Sequence, residues 1–299
     1  MVNPTLISLS ENDLNSDILK VMAMKITRRE ILKSTVAGSL SAGLLLPSIE
    51  AQAASKRSYD YGSNKLDWYP AKSGAQNAPI LIFAHGGAWA LGNRGQVGAK
   101  ARHFTEQGYH FASVSYTLFP RANAQTQALQ VGEAVNWIHA NAGRLGGDPN
   151  RIALMGHSAG CHLSSLATLT GAAHPVKALI CNDTRAYDLP FLAQVSGGSL
   201  PALYAPAFRR KKMWDAWSPI SYTGLKQQPP TLVAWSGGHG RDKVSKRFAD
   251  ALERDGTEVH RYDGKRRYNH LSINSRMGSE RGKLTGAVET FLSDVLSRS

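Results

Sequence analysis

The feature that most narrows the choice of fold is a series of short apolar runs, at residues 79–84, 108–115, 151–155, 176–181, 230–235 and 258–262. Most are separated by longer stretches of helical character, at 124–142, 159–170, 243–255 and 280–296. A strand that is apolar on both sides needs cover on both faces. Helices between such strands supply the cover and the crossover that brings the next strand in parallel. The alternation predicts an α/β architecture, a mostly parallel twisted sheet with helices on both faces. Residues 56–69 read as an introductory antiparallel pair at the sheet edge. With 299 residues the chain is long enough to bury such a core without staples.

One stretch breaks the rhythm. Residues 183–228 are long, Pro-containing and aromatic, with Tyr187, Phe191, Tyr204, Phe208, Trp214, Trp217 and Tyr222, and predict a lid-like, substrate-binding insertion. The first 53 residues read as a leader. Thr27-Arg28-Arg29-Glu30-Ile31-Leu32-Lys33 resembles the twin-arginine export motif. A weakly apolar stretch at 34–49 follows, too short to stay anchored in a bilayer, and Ala51-Gln52-Ala53 offers a small-x-small cleavage site. A start at Met22 or Met24 gives a more usual leader length. The expectation is a periplasmic or secreted protein: one domain over 54–299, with no stable membrane span after cleavage.

Residues 1–53 carry five basic and five acidic side chains, so the formal net charge of +13 belongs to the domain. Its densest runs are Arg209-Arg210-Lys211-Lys212 and Lys265-Arg266-Arg267. No nucleic-acid-binding motif accompanies them. They read as a solvated basic face, with contact to anionic surfaces or acidic substrates as the other reading. Cys161 and Cys181 have neither a disulfide framework nor metal-ligand spacing. They read as small buried apolar residues, able to pair if the protein is exported.

The run at 151–155 leads directly into Gly156-His157-Ser158-Ala159-Gly160 and then into a helical stretch. This is a Gly-x-Ser-x-Gly motif in a strand–turn–helix context, which presents the serine as a nucleophile at the C-terminal edge of the sheet. The helix that follows directs its N-terminus at the same place. His157 is read as a packing residue. Upstream, His85-Gly86-Gly87-Ala88-Trp89 follows a strand. Acyl transfer places negative charge on the former carbonyl oxygen, and backbone N–H groups should meet it. Gly87 and Ala88, with Ala159 after the nucleophile, are the expected donors, and His85 an anchor of the loop.

In this fold order the serine comes first, then the acid, then the histidine. His270, just after the last strand, is the expected base. His239 precedes any place left for the acid, and His260 falls inside a strand. Asp242 is the only carboxylate in the loop after 230–235 and is the expected acid, with Asp263 as runner-up. Asp242 is also placed to cap the helix that follows.

Tyr116-Thr117-Leu118-Phe119-Pro120, Ala134-Val135-Asn136-Trp137-Ile138, Leu145-Gly146-Gly147-Asp148-Pro149 and Gly156–Gly160 together resemble the hormone-sensitive-lipase-like and arylformamidase-like carboxylesterases. Lys65-Leu66-Asp67-Trp68-Tyr69-Pro70 matches their first strand, and the resemblance runs from about Tyr59 to the C-terminus. It implies an α/β-hydrolase fold, the triad Ser158, Asp242, His270, and no cofactor or metal. There are two departures. His-Gly-Gly-Ala-Trp in place of His-Gly-Gly-Gly leans toward the arylformamidase and feruloyl-esterase-like side. The acid loop is unusual, with Gly237-Gly238-His239-Gly240 ahead of Asp242. The expected activity is hydrolysis of a small or aromatic carboxylic ester through an acyl-enzyme. Hydrolysis of a formyl amide such as N-formylkynurenine is the alternative, disfavoured by export because that metabolite is cytoplasmic. A non-catalytic binding protein on the same fold is a third reading, disfavoured by the full set of site residues.

Overall fold

The computed structural model describes residues 56–280 and 283–298, and the leader read at 1–53 lies outside the described residues. Among the described residues one eight-stranded sheet runs in the order β1-β2-β4-β3-β5-β6-β7-β8. The strands are β1 (Arg57–Tyr61), β2 (Asn64–Tyr69), β3 (Ala78–Ala84), β4 (His110–Val114), β5 (Gly147–His157), β6 (Ala178–Asn182), β7 (Thr231–Trp235) and β8 (Val259–Asp263). β1 and β2 are antiparallel, β2 and β4 likewise, and every remaining pair is parallel. The predicted edge pair and parallel centre are both present.

Each central strand feeds two cores because its side chains alternate. On one face Ile80, Ile82, Ile152, Leu154, Leu179, Cys181 and Val233 pack under α2 (Ala124–Asn141), α3 (Ala159–Thr170) and α5 (Arg241–Arg254). On the other, Leu81, Phe83, Ala153, Met155, Ile180 and Leu232 pack under α1 (Lys100–Glu106) and α7 (Lys283–Leu296). Burial on both faces is what the unbroken apolar runs demanded. Three short helices escape the sequence reading: α1, α4 (Leu189–Val195) and α6 (Ser272–Ser275). One or two turns hold too few residues for a 3.6-residue period to show.

The segment between β6 and β7 holds α4 and single turns at Lys211–Met213 and Pro219–Tyr222. Its aromatics are largely interior: Tyr187, Tyr204, Phe208 and Trp217 are buried. Tyr187 stacks on Phe248 of α5 at 4.2 Å between ring centres. Tyr204 and Phe208 meet Trp89 edge-on at 5.1 and 4.6 Å. Such pairs add to the burial energy of the rings themselves, and here they pack the insertion against the loop after β3. Cys161 and Cys181 are free and buried, as small apolar residues would be.

Candidate active site

β5 ends at His157 and α3 begins at Ala159, so Ser158 alone turns strand into helix. It does so at φ 56°, ψ −119°, a region side-chain-bearing residues rarely occupy. Two glycines allow the turn. A Cβ on Gly156 would fall 2.3 Å from Gly160 O, and one on Gly160 would fall 2.2 Å from Ala84 O. Strand, helix and the end of β3 therefore touch backbone to backbone. The turn is held by Ser158 N–H donating to Asn182 O at 3.2 Å and His162 N–H donating to Ser158 O at 3.1 Å.

The Ser158 hydroxyl donates to His270 Nε2 at 2.9 Å. His270 Nδ1–H donates to Asp183 Oδ2, also at 2.9 Å. The tautomer follows from these two partners. His270 is thus where the sequence placed it, in the loop after β8.

Asp242 is the expectation the structure overturns. It lies in the first turn of α5, whose N-cap is Gly240, so it neither meets the imidazole nor caps the helix. Its charge is simply well placed near a helix N-terminus. Asp183 holds the position instead, and the sheet order gives the reason. β5, β6 and β7 are adjacent and parallel, so the residues just past their ends, Ser158, Asp183 and Ser236, lie side by side. After β7 that place falls to Ser236, whose hydroxyl and amide donate to Asp183 Oδ2 and Oδ1 at 2.5 and 3.2 Å. Asp263, the runner-up, closes β8 and accepts instead from the Lys265 amide at 3.1 Å.

Asp183 is fully buried and adopts φ 59°, its own amide donating to Ala234 O at 2.9 Å. Burial alone would raise its pKa. The bond from His270, the charge of Arg241 3.6 Å away and the Ser236 hydroxyl outweigh it, and hold the carboxyl well below the usual carboxylate range. For His270 burial pushes the pKa down, the Asp183 bond pushes it up, and the charges of Arg241 and Arg185 push it down again. The net position is below that of an ordinary histidine. A carboxylate facing a neutral imidazole is the pairing a general base requires.

Gly86 to Trp89 runs beside this chain: a Cβ on Gly86 would sit 3.0 Å from Ser158 Cβ. Gly87, Ala88 and Trp89 all have positive φ, at 132°, 49° and 63°. The turn is tied down at several points. Gly87 O accepts from the amides of Ala90 and Leu91, Trp89 O from Phe119 N–H and Gln127 Nε2, and His85 O from the Tyr116 hydroxyl at 2.8 Å. Trp89 Nε1 donates to His162 Nδ1 at 3.1 Å, and His162 Nε2–H donates to Trp217 O at 2.7 Å. That relay links the loop to α3 and the insertion, and burial keeps His162 neutral, its pKa pushed down to about 4. Among the described residues nothing accepts a hydrogen bond from the amides of Gly87, Ala88 or Ala159. His85 stacks on Tyr116 at 4.4 Å and reaches Gly86 O at 2.8 Å, the anchoring expected of it.

Several contributors were not foreseen. His157 does more than pack: its Nε2–H donates to His270 O at 3.0 Å, with the two rings 4.7 Å apart. Lys100 is buried and donates to Asn274 O of α6 at 3.1 Å. Both hold the loop that carries His270. Asp183 had a sequence signal, an acid directly after the apolar run that became β6. Among the described residues no group of three or more His, Cys, Asp and Glu side chains is arranged to hold a metal, and no helix is long and apolar enough to cross a membrane.

The BD-FAE family model matches residues 66–188, a span that includes the Gly86–Trp89 turn, Ser158 and Asp183. A probable carboxylic ester hydrolase of Mycobacterium tuberculosis, LipM, is 40% identical over 115 residues, 37% of this chain and 27% of its own. A probable isoprenylcysteine alpha-carbonyl methylesterase of Oryza sativa subsp. japonica is 33% identical over 120 residues, 39% and 29% of the two chains. The aligned region thus spans less than a third of the length of these curated relatives. Solved structures align over nearly the whole domain. The metagenomic carboxylesterase EstE1 has a TM-score of 0.66 at 19% identity, covering 83% of this chain and 90% of its own. A bacterial heroin esterase has a TM-score of 0.66 at 20% identity, covering 84% and 87%. The fold is that of the α/β-hydrolases.

Proposed function

We propose that this chain is a serine carboxylic ester hydrolase in which Ser158 is the nucleophile, His270 the base and Asp183 the acid. The observation that carries the reading is the unbroken relay Ser158 Oγ to His270 to Asp183, with 2.9 Å at each step. The esterase relatives and the esterase structures of the same fold support it.

His270 takes the hydroxyl proton as Ser158 Oγ attacks the ester carbonyl, and Asp183 stabilises the imidazolium that forms. The amides of Gly87, Ala88 and Ala159 receive the oxyanion. Collapse of the tetrahedral intermediate expels the alcohol, which takes the proton from His270. Water, deprotonated by His270, then attacks the acyl-enzyme and releases the acid. The substrate class in this proposal is the one expected from the sequence, a small or aromatic carboxylic ester. The leader at 1–53 adds the proposal that the enzyme works outside the cytoplasm.

The test is labelling with a fluorophosphonate, followed by peptide mass spectrometry. The expected adduct is on Ser158. A folded protein that hydrolyses p-nitrophenyl acetate with Ser158 unlabelled, or that neither labels nor hydrolyses, sinks the proposal.

A further inference from the structure

Two arginines beside Asp183 bring more positive charge than their surroundings balance. Arg241 Nη1 lies 3.6 Å from Asp183 Oδ1. Arg185 donates from Nη2 to Ser196 Oγ at 3.1 Å, a neutral partner, and among the described residues no carboxylate pairs with it. As whole residues Arg185 and Arg241 keep only 9% and 8% of their surface exposed. Arg185 Nε and Arg241 Nη1 are buried without a hydrogen-bond partner. With His270 neutral, one carboxylate and two guanidiniums leave a net positive charge in the interior, an arrangement that is costly until a counter-charge arrives.

The position of the pair says what kind of counter-charge. On one side Arg241 reaches the relay through Asp183. On the other, Tyr204, whose hydroxyl lies within reach of the charges of both arginines, meets Trp89 of the oxyanion turn at 5.1 Å. Arg241 therefore adjoins the acid–base end of the site, and both arginines lie in electrostatic reach of Tyr204, which packs on the turn that would hold the oxyanion. The charges of both reach His270. The two exposed basic runs flank the same region. Arg209 to Lys212 follows Phe208, which packs on Trp89, and Lys265 to Arg267 leads into His270. A positive field at the approach and guanidinium groups inside it favour an anion at both stages of binding.

We infer that Arg185 and Arg241 form a subsite for a carboxylate carried on the acyl side of the ester, so that monoesters of short dicarboxylic acids are the preferred substrate class. This rests on the serine esterase reading above. A guanidinium offers paired N–H donors in the geometry a carboxylate accepts, and ammonium cannot reproduce it.

The test compares kcat/KM for p-nitrophenyl hydrogen glutarate with that for the uncharged p-nitrophenyl pentanoate, in the wild type and in Arg185→Gln and Arg185→Lys. A charge-assisted contact predicts that the wild type prefers the acidic ester by about tenfold or more. The preference should shrink with added salt, vanish in Arg185→Gln and be partly kept in Arg185→Lys. Free glutarate should compete with p-nitrophenyl pentanoate in the wild type, whereas pentanamide should not, a measurement that needs no variant to fold. Turnover of the pentanoate with no preference for the glutarate ester and no competition by glutarate overturns the subsite and leaves the esterase proposal standing. Absence of turnover of both esters, with Ser158 unlabelled, is failure of the esterase proposal. In that case glutarate binding to Ser158→Ala, read by calorimetry, decides the subsite: saturable binding lost with Arg185→Gln supports it, and no binding overturns it.

Discussion

Replacing Asp183 with Asn separates the two candidate acids, and the contacts set the size of the effect. Asp183 Oδ2 accepts from His270 Nδ1–H and the Ser236 hydroxyl, while Oδ1 accepts from the Ser236 amide and faces Arg241. Every neighbour of the carboxylate is a donor. An Asn keeps one acceptor and turns the other into a donor. With NH2 toward His270 the imidazole is driven into the wrong tautomer. With NH2 toward Ser236 N–H and Arg241, two donors face a donor and a buried cation loses its counter-charge. The first outcome costs about 10⁴-fold in kcat by analogy with other triads, or ~5.5 kcal/mol of transition-state stabilisation. The second costs about 3–5 kcal/mol of folding stability. Asp242→Asn, by contrast, removes only a charge near a helix N-terminus, about 0.3–1 kcal/mol of stability, and should leave kcat within about twofold. The assay is p-nitrophenyl acetate turnover in both variants, with urea unfolding to confirm that each is folded. A folded Asp183→Asn that retains a tenth or more of wild-type kcat, or an Asp242→Asn that falls as far, would refute the assignment.

Two further outcomes follow from pH. The base must be neutral to work, and His270 is held below the ordinary histidine value. The acidic limb of kcat/KM should therefore rise with pH through a midpoint below about 6.5, and a midpoint above 7 would contradict the burial that lowers it. Lys100, buried under Phe83 at 4.9 Å, has its pKa pushed down by burial to about 7. Between that value and about 10.4, where an unfolded lysine titrates, the unfolded chain holds a proton the folded protein has released, so this group makes stability climb with pH across that window. Urea unfolding of wild type against Lys100→Met from pH 7 to 10 should show the extra slope in the wild type alone, and equal slopes would remove the account.

Much of the site is set by short-range pattern and was legible without coordinates. The strand–Ser158–helix turn is built from consecutive residues, and the close approaches at Gly156 and Gly160 exclude any larger side chain there. The His85–Trp89 turn and His270 are recognised because each directly follows a buried strand. The burial of alternate residues on two faces was written into runs such as 79–84. The short helices α1 and α6 carried no such periodic signal, although α1 supplies Lys100 and α6 accepts from it.

Which carboxylate meets the imidazole was decided only in three dimensions. Asp183 and Asp242 lie near the ends of adjacent strands, and chain order admits either between Ser158 and His270. What separates them is where each carboxylate falls relative to one imidazole 87 residues beyond Asp183 in the chain. Parallel pairing of β5, β6 and β7 puts Ser158, Asp183 and Ser236 in a row, and the glycines at 237, 238 and 240 carry Asp242 onward into α5. The same long-range packing decided that Arg241 lies 3.6 Å from Asp183, and that the aromatic insertion packs into the core against Trp89. The serine was fixed by local geometry. Its partners depended on contacts between residues far apart in the chain, which composition and periodicity do not encode.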